Sequence, residues 1–169
     1  MHSSDDKITF PVLQKIVSGG QTGADQGALD AAISLGIDHG GWLPKGRKTE
    51  NGALPSNYNL KEMDSAHYAK RTLQNVIDSH GTLIISHGPL TGGSALTLTL
   101  ARQHLRPCLH TDMSLWSVAS AAHKIAEWIT HHHISVLNVA GPRASSDARI
   151  YAVTGDVLKA VVKSTDSYG

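Results

Sequence analysis

The 169-residue sequence has a single cysteine, Cys108, so no disulfide can form within the chain and the fold must be held by packing. Cys108 opens a short apolar run and reads as a plain buried thiol. Neither sign of charge is in excess: 15 Lys and Arg face 14 Asp and Glu. That balance excludes a general positive field for gripping a nucleic-acid backbone, so any anion site has to be local. No apolar run reaches the ~18 residues of a membrane-spanning helix. The opening residues, MHSSDDKITF, lack the apolar stretch of a signal peptide. A cytoplasmic protein with no membrane and no nucleic-acid partner is therefore expected. Also missing are a Gly-x-Ser-x-Gly elbow, His-Glu-x-x-His, Cys-x-x-Cys and any paired-carboxylate pattern. The sequence thus offers no nucleophile with its base and no metal centre. The run His131-His132-His133 does not change this, because consecutive residues of a helix end do not share a face.

What is present is a regular alternation. Residues 1–14 read as a loose arm and 15–169 as one domain without repeat or linker. Lys15 to Ser18 is an apolar strand that breaks at Gly19-Gly20. Gly23 to Leu35 is a helix stopped by Gly36. Gly40 to Leu43 is a weaker second strand. Pro44 to Asn59 shows no period, which in a compact domain marks a functional or mobile loop. Asp64 to Ser79 is helical. Gly81 to Ser86 is the clearest strand, with no polar alternation, as for a parallel strand buried on both faces. Then follow helix 94–104, strand 107–110, helix 114–131, strand 134–139 and helix 147–163. The alternation predicts an α/β fold of Rossmann-like, three-layer α/β/α type, with a central, mainly parallel sheet of about five strands.

Ligands of such sheets bind beyond the carboxyl ends of the strands, so the turns there carry the candidate site. The first is Ser18-Gly19-Gly20-Gln21-Thr22-Gly23-Ala24-Asp25, where glycines admit a close backbone approach and the next helix aims N–H groups at the same spot. A capped strand-to-helix turn would use the same residues. Asp25 would compete with a phosphate for the helix field, so it suits hydroxyls or a ring edge better than phosphate. The second, Gly88-Pro89-Leu90-Thr91-Gly92-Gly93-Ser94, sets two glycines and two hydroxyls at a helix start, an arrangement suited to an oxyanion. The third, Ala140-Gly141-Pro142-Arg143, holds an arginine on a stiff turn, as a partner for phosphate or carboxylate or for a surface acid. Lys45 and Arg47 could close over a ligand as a lid, and Arg71 is a further basic candidate. The common ligand class is phosphorylated and nucleotide-like.

These segments, together with Gly40 to Arg47, Arg71 to Val76 and Leu137 to Val139, resemble in order the motifs of the molybdenum cofactor carrier family, over about residues 15–162. That family is similar in fold to the SLOG superfamily, which includes the Lonely-guy phosphoribohydrolases. The resemblance implies a homo-oligomeric domain, a dimer or tetramer, that binds and protects molybdenum cofactor, a phosphorylated pterin, and passes it to molybdoenzymes. In that role Gly19, Gly20, Gln21, Thr22, Gly23, Thr91, Gly92, Gly93 and Ser94 would hold the phosphate and adjoining oxygens. Lys45, Arg47, Gly141, Pro142 and Arg143 would supply charge and a rigid turn, and Asp25 the pterin contact. The hydrolases end their glycine-rich motif in a catalytic glutamate; here Ala95-Leu96-Thr97 follows Ser94 and none is present. That tilts the expectation toward holding the ligand. The alternatives are a nucleotide-processing enzyme using Asp25 or Glu50, and a sensor of a nucleotide-derived ligand.

Overall fold

The computed structural model describes residues 13–166. Strand β1 (Lys15–Val17) leads through helix α1 (Ala24–Leu35) to β2 (Asp38–Gly40). Four two-residue strands follow: β3 (Trp42–Leu43), β4 (Lys48–Thr49), β5 (Gly52–Ala53) and β6 (Lys61–Glu62). Then come α2 (Tyr68–Ile77), β7 (Gly81–Ser86), α3 (Gly92–Gln103), β8 (Cys108–Asp112), α4 (Val118–His131), β9 (Val136–Ala140) and α5 (Ile150–Asp166). The arm expected over residues 1–14 lies outside the described residues as far as residue 12. Leu13 is already buried in the core, and the Gln14 N–H donates to Ser135.

Five strands form one parallel sheet in the order β2-β1-β9-β7-β8. All six residues of β7 are buried, which is why its sequence has no polar alternation. Leu83 and Ile85 join the main core with Ile16, Leu137, Val139 and the inner faces of α1, α4 and α5. Ile84, equally buried, points to the opposite face of the sheet. Helix α5 packs on both α1 and α4, and α2 packs on α3. The result is the α/β Rossmann-like fold that the alternation predicts. The small residues of α1 have a packing reason. A Cβ on Gly27 would stand 2.6 Å from the Tyr151 carbonyl, so α5 can lie against α1 only if that position is bare.

The strand order contains a permutation. Counting from β9 and passing from α5 into β1, the order across the sheet becomes 3-2-1-4-5, that of a doubly wound dinucleotide-binding sheet. The strand that would open such a domain is here the last. The crossovers lead outward from the centre in both directions, from β1 to β2 and from β7 to β8. A crevice remains beyond the carboxyl ends of β1, β9 and β7.

Some elements differ from expectation. The single strand read over Gly40 to Leu43 is two, because Gly41 adopts φ 125° and bends the chain out of the sheet. A Cβ there would collide with the Ser18 backbone, and Trp42–Leu43 pairs instead with β6. The aperiodic loop contains the β4–β5 hairpin. Helix α2 starts at Tyr68 rather than Asp64, since the Ser65 hydroxyl accepts from the His67 N–H in a local turn that competes with helix. Helix α4 starts at Val118, after Ser117, whose hydroxyl accepts from the Ser120 N–H.

Candidate ligand cleft

Three turns meet where the sheet divides. In the turn after β1, the Ser18 hydroxyl donates to the Asp25 carbonyl at 2.9 Å, and Asp25 Oδ2 accepts from the Gln21 N–H at 3.2 Å. Arg71 reaches in from α2. Its Nη1 donates to the Gly19 carbonyl at 2.5 Å and lies 3.7 Å from Asp25 Oδ2. A side chain at Gly19 would occupy the place of this guanidinium, so the glycine and the arginine require one another. Burial raises the Asp25 carboxyl to about 6, against the opposing pull of Arg71, the Gln21 N–H and Arg143. Burial also lowers Arg71, which the Asp25 charge offsets in part.

The turn after β7 is braced from beneath. Ser86 Oγ donates to the Gly88 carbonyl and lies 2.7 Å from His110 Nε2, while the Gly88 N–H donates to Asp112 at 2.8 Å. Thr91 occupies the N-cap position of α3, but its hydroxyl makes no capping bond. Among the described residues the N–H groups of Gly92, Gly93 and Ser94 have no acceptor. They are the first donors of a 12-residue helix and point where its dipole favours an anion.

The turn after β9 is tied to the first turn. The Ala24 N–H donates to the Pro142 carbonyl at 3.1 Å, and the Ala144 N–H to Thr22 Oγ1 at 3.1 Å. Glu50, at the tip of the β4–β5 hairpin, accepts from Thr22 Oγ1, from the Ser145 N–H at 3.1 Å and from Ser145 Oγ at 2.5 Å. It also lies 3.9 Å from Arg143 Nη1. These hydroxyls hold the Glu50 carboxyl below the usual range, Ser145 first and Thr22 next. Gly141 has to be bare because a Cβ there would press on the Ile85 carbonyl and on Ala24. Arg143 and Arg71 both lie over the Tyr68 ring, 5.6 and 5.4 Å from its centre, with Lys48 at 5.0 Å.

Between these turns lies a cleft of about 490 Å³. Of the residues expected at the site, Gly19, Gln21 and Asp25 line it from the first turn. Thr91, Gly92, Gly93 and Ser94 line it from the second, and Gly141, Pro142 and Arg143 from the third. Gly20, Thr22 and Gly23 stand behind the wall. Thr22 and Gly23 serve the junction with the third turn, where a Cβ on Gly23 would lie 2.5 Å from the Pro142 carbonyl. Lys45 and Arg47 do not line the cleft. The Arg47 guanidinium donates to the carbonyls of Leu54, Pro55 and Tyr58, which fixes the loop from within instead of freeing it as a lid. Glu50, the alternative catalytic residue, is the clasp just described.

Arg71, a basic candidate from the sequence, is fully part of the wall, with Asn75 beside it on α2. The structure adds residues that no local motif marks. His87, Asp147 and Arg149 line the side between the second and third turns. His87 Nδ1 lies 2.5 Å from Asp147 Oδ2, and both side chains are largely buried. Burial works to raise the Asp147 carboxyl, but the His87 contact, the Arg149 N–H and the neighbouring charges bring it below its usual value. One donor in the wall is unpartnered: Gln21 Nε2 is buried without a hydrogen-bond partner, while Gln21 Oε1 accepts from the N–H groups of Thr22 and Glu50. A polar atom left in this state costs free energy unless a ligand satisfies it.

Residues 16–162 match the circularly permutated YpsA SLOG family. The chain belongs to that family. The permutation in the name agrees with the strand order, in which the opening βα unit of a doubly wound sheet stands at the end of the chain. Among solved structures, the chain is similar to a crystal structure from Syntrophus aciditrophicus SB described as "Putative molybdenum carrier protein". The two are 55% identical, with a TM-score of 0.89, over 90% of this chain and 96% of that one. No curated protein matches the chain. Among the described residues, no helix is long and apolar enough to cross a membrane.

Proposed function

We propose that this SLOG-family domain binds molybdenum cofactor in the cleft and shelters it from oxidative loss. The observation that carries the reading is the meeting on one cavity of the open α3 N–H groups, the orphaned Gln21 Nε2 and the positive charge of Arg71, Arg143 and Arg149. The α3 terminus suits the phosphate, with Arg143 as a charged neighbour. Gln21 Nε2 and Asp25, a donor and an acceptor side by side, suit the edge of a pterin ring. The volume lies in the ordinary range for a small-molecule site. The molybdenum carrier description of the 55% identical relative supports choosing this phosphorylated heterocycle among others of its class. When bound, the group would supply its own redox chemistry; the residues here orient it and keep water from it. We extend the proposal to a cytoplasmic homo-oligomer that hands its cargo to molybdoenzymes.

The test is protection and retention. Purified protein is expected to slow the aerobic decay of added molybdenum cofactor, and native mass spectrometry of protein from a cofactor-producing host is expected to show the cofactor's mass. Arg143→Ala should weaken retention. Decay at the same rate with and without protein would sink the proposal.

A further inference from the structure

The cleft contains one pair of side chains that holding a ligand does not require. His87 leaves the carboxyl end of β7 and Asp147 stands just ahead of α5. The contact of 2.5 Å between Nδ1 and Oδ2 joins elements 60 residues apart in sequence. Asp147 is itself fixed, because its Oδ1 accepts the Arg149 N–H at 2.9 Å. A carboxylate held in this way sets the imidazole tautomer with the proton on Nδ1, leaving the lone pair on Nε2. Nε2 has no partner among the described residues, and His87 lines the cavity together with the open α3 terminus. An imidazole oriented by an aspartate, with its second nitrogen free beside an anion cradle, is the arrangement of a general base.

We propose that His87 and Asp147 are a water-activating dyad with which this cleft hydrolyses the phosphoanhydride of a diphosphate-bearing, nucleotide-like ligand. This rests on the reading that the cleft binds a phosphorylated ligand. In the reaction, His87 Nε2 takes one proton from water. The water oxygen forms the new bond to phosphorus while the bridging P–O bond breaks. The electron pair of that bond leaves on the departing phosphate, and the imidazolium returns its proton to solvent. His87 is the catalytic base, and Asp147 is a positioning residue that acts through it. Arg143 and Arg149 face the same cavity and supply positive charge for the phosphate oxygens. The anhydride is favoured over an ester because a phosphate leaves without being protonated, whereas an alkoxide needs an acid. The other carboxyl lining the cleft, Asp25, already accepts from the Gln21 N–H and faces Arg71.

The probe is diadenosine diphosphate, with release of AMP followed chromatographically, with magnesium and with a chelator, in ¹⁸O-labelled water. AMP binding is measured in parallel by calorimetry. Wild-type protein is expected to release AMP and to place one labelled oxygen on phosphorus per bond cleaved. His87→Gln and Asp147→Asn are expected to lower kcat by roughly 10²–10⁴-fold, with KM and AMP affinity within about threefold and an unchanged far-UV spectrum. Binding of AMP or probe without turnover in either metal condition would overturn the dyad and leave the binding reading standing. Turnover that survives His87→Gln would overturn it too. Absence of both binding and turnover would remove the phosphorylated-ligand reading and the dyad with it.

Discussion

At Asp25 two opposing effects can be weighed against each other. Burial disfavours its charge, Arg71 favours it, and the balance leaves the carboxyl at about 6 against 3.8 for a free aspartate. A folded-state value above the unfolded one means that the native protein keeps its proton while the unfolded chain loses it. Stability is therefore lost as pH rises from about 4 to 6, and the loss is constant above that. Relative to Asp25→Asn, the wild type is expected to lose roughly 3 kcal/mol across this window, read from urea unfolding of both proteins at pH 4 and pH 7. An equal difference at the two pH values would show that burial does not control this group. Arg71 has the complementary problem. Replacing it by Met leaves Asp25 without its counter-charge and the Gly19 carbonyl without its donor, and about 3–5 kcal/mol of stability should be lost in the same assay. From sequence, Asp25 was visible as a candidate because it follows a glycine turn. Its partner Arg71 was visible only as one basic candidate among several, because a lone arginine on a helix is more often solvated and nothing local ties it to Gly19 or Asp25.

At the scale of elements, the cleft depends on how short segments fasten to one another. The β4–β5 hairpin contributes almost nothing to the core, yet its Glu50 joins the β1–α1 and β9–α5 turns through Thr22, Ser145 and Arg143. With Glu50→Gln the charge-assisted part of that clasp is gone. Amide exchange at Ala144 and Ser145 is expected to quicken, and ligand affinity to fall, while the exchange of β7 stays slow. Unchanged exchange in the β9–α5 turn would mean that the clasp is incidental. The clasp also has a pH dependence. The Glu50 carboxyl lies below 4.5 in the folded protein, so its contribution is complete above that value and disappears as pH falls through the lowered one. Packing at the turns is equally close: Gly141→Ala would drive a methyl group into the Ile85 carbonyl and Ala24. A loss of at least about 2 kcal/mol in thermal or denaturant unfolding is expected.

For the whole molecule the decisive feature is the place of β9. It follows the other four strands in sequence and is the central one in the sheet, so the middle of the sheet cannot be completed until all its neighbours have been made. Helix α5 runs back from the carboxyl edge toward the end of the sheet at which β1 begins. A chain opened between His132 and Ser135 and joined from residue 166 through the terminal residues to Leu13 is therefore expected to form the same sheet. Moving the break changes loop-closure entropy by only about 1 kcal/mol. The permuted protein should give the same far-UV spectrum and ligand affinity as the parent. Failure to fold would show that α4 and β9 must be covalently continuous.

The sequence by itself determined the α/β alternation, the five parallel strands and the helix stop at Gly36, because hydrophobic period and glycine placement are local properties. It also determined the glycine turns after β1, β7 and β9, where the backbone needs what only glycine provides. Tertiary structure decided which of those residues face the cleft. Thr22 and Gly23 turn to a neighbouring loop, Arg47 turns to its own loop's carbonyls, and the wall is completed by Arg71, His87 and Asp147. Arg47 apart, those roles arise from contacts between segments 50 or more residues apart, such as Arg71 with Gly19 and His87 with Asp147. No short-range pattern encodes such a contact, since the permuted strand order alone brings the partners together.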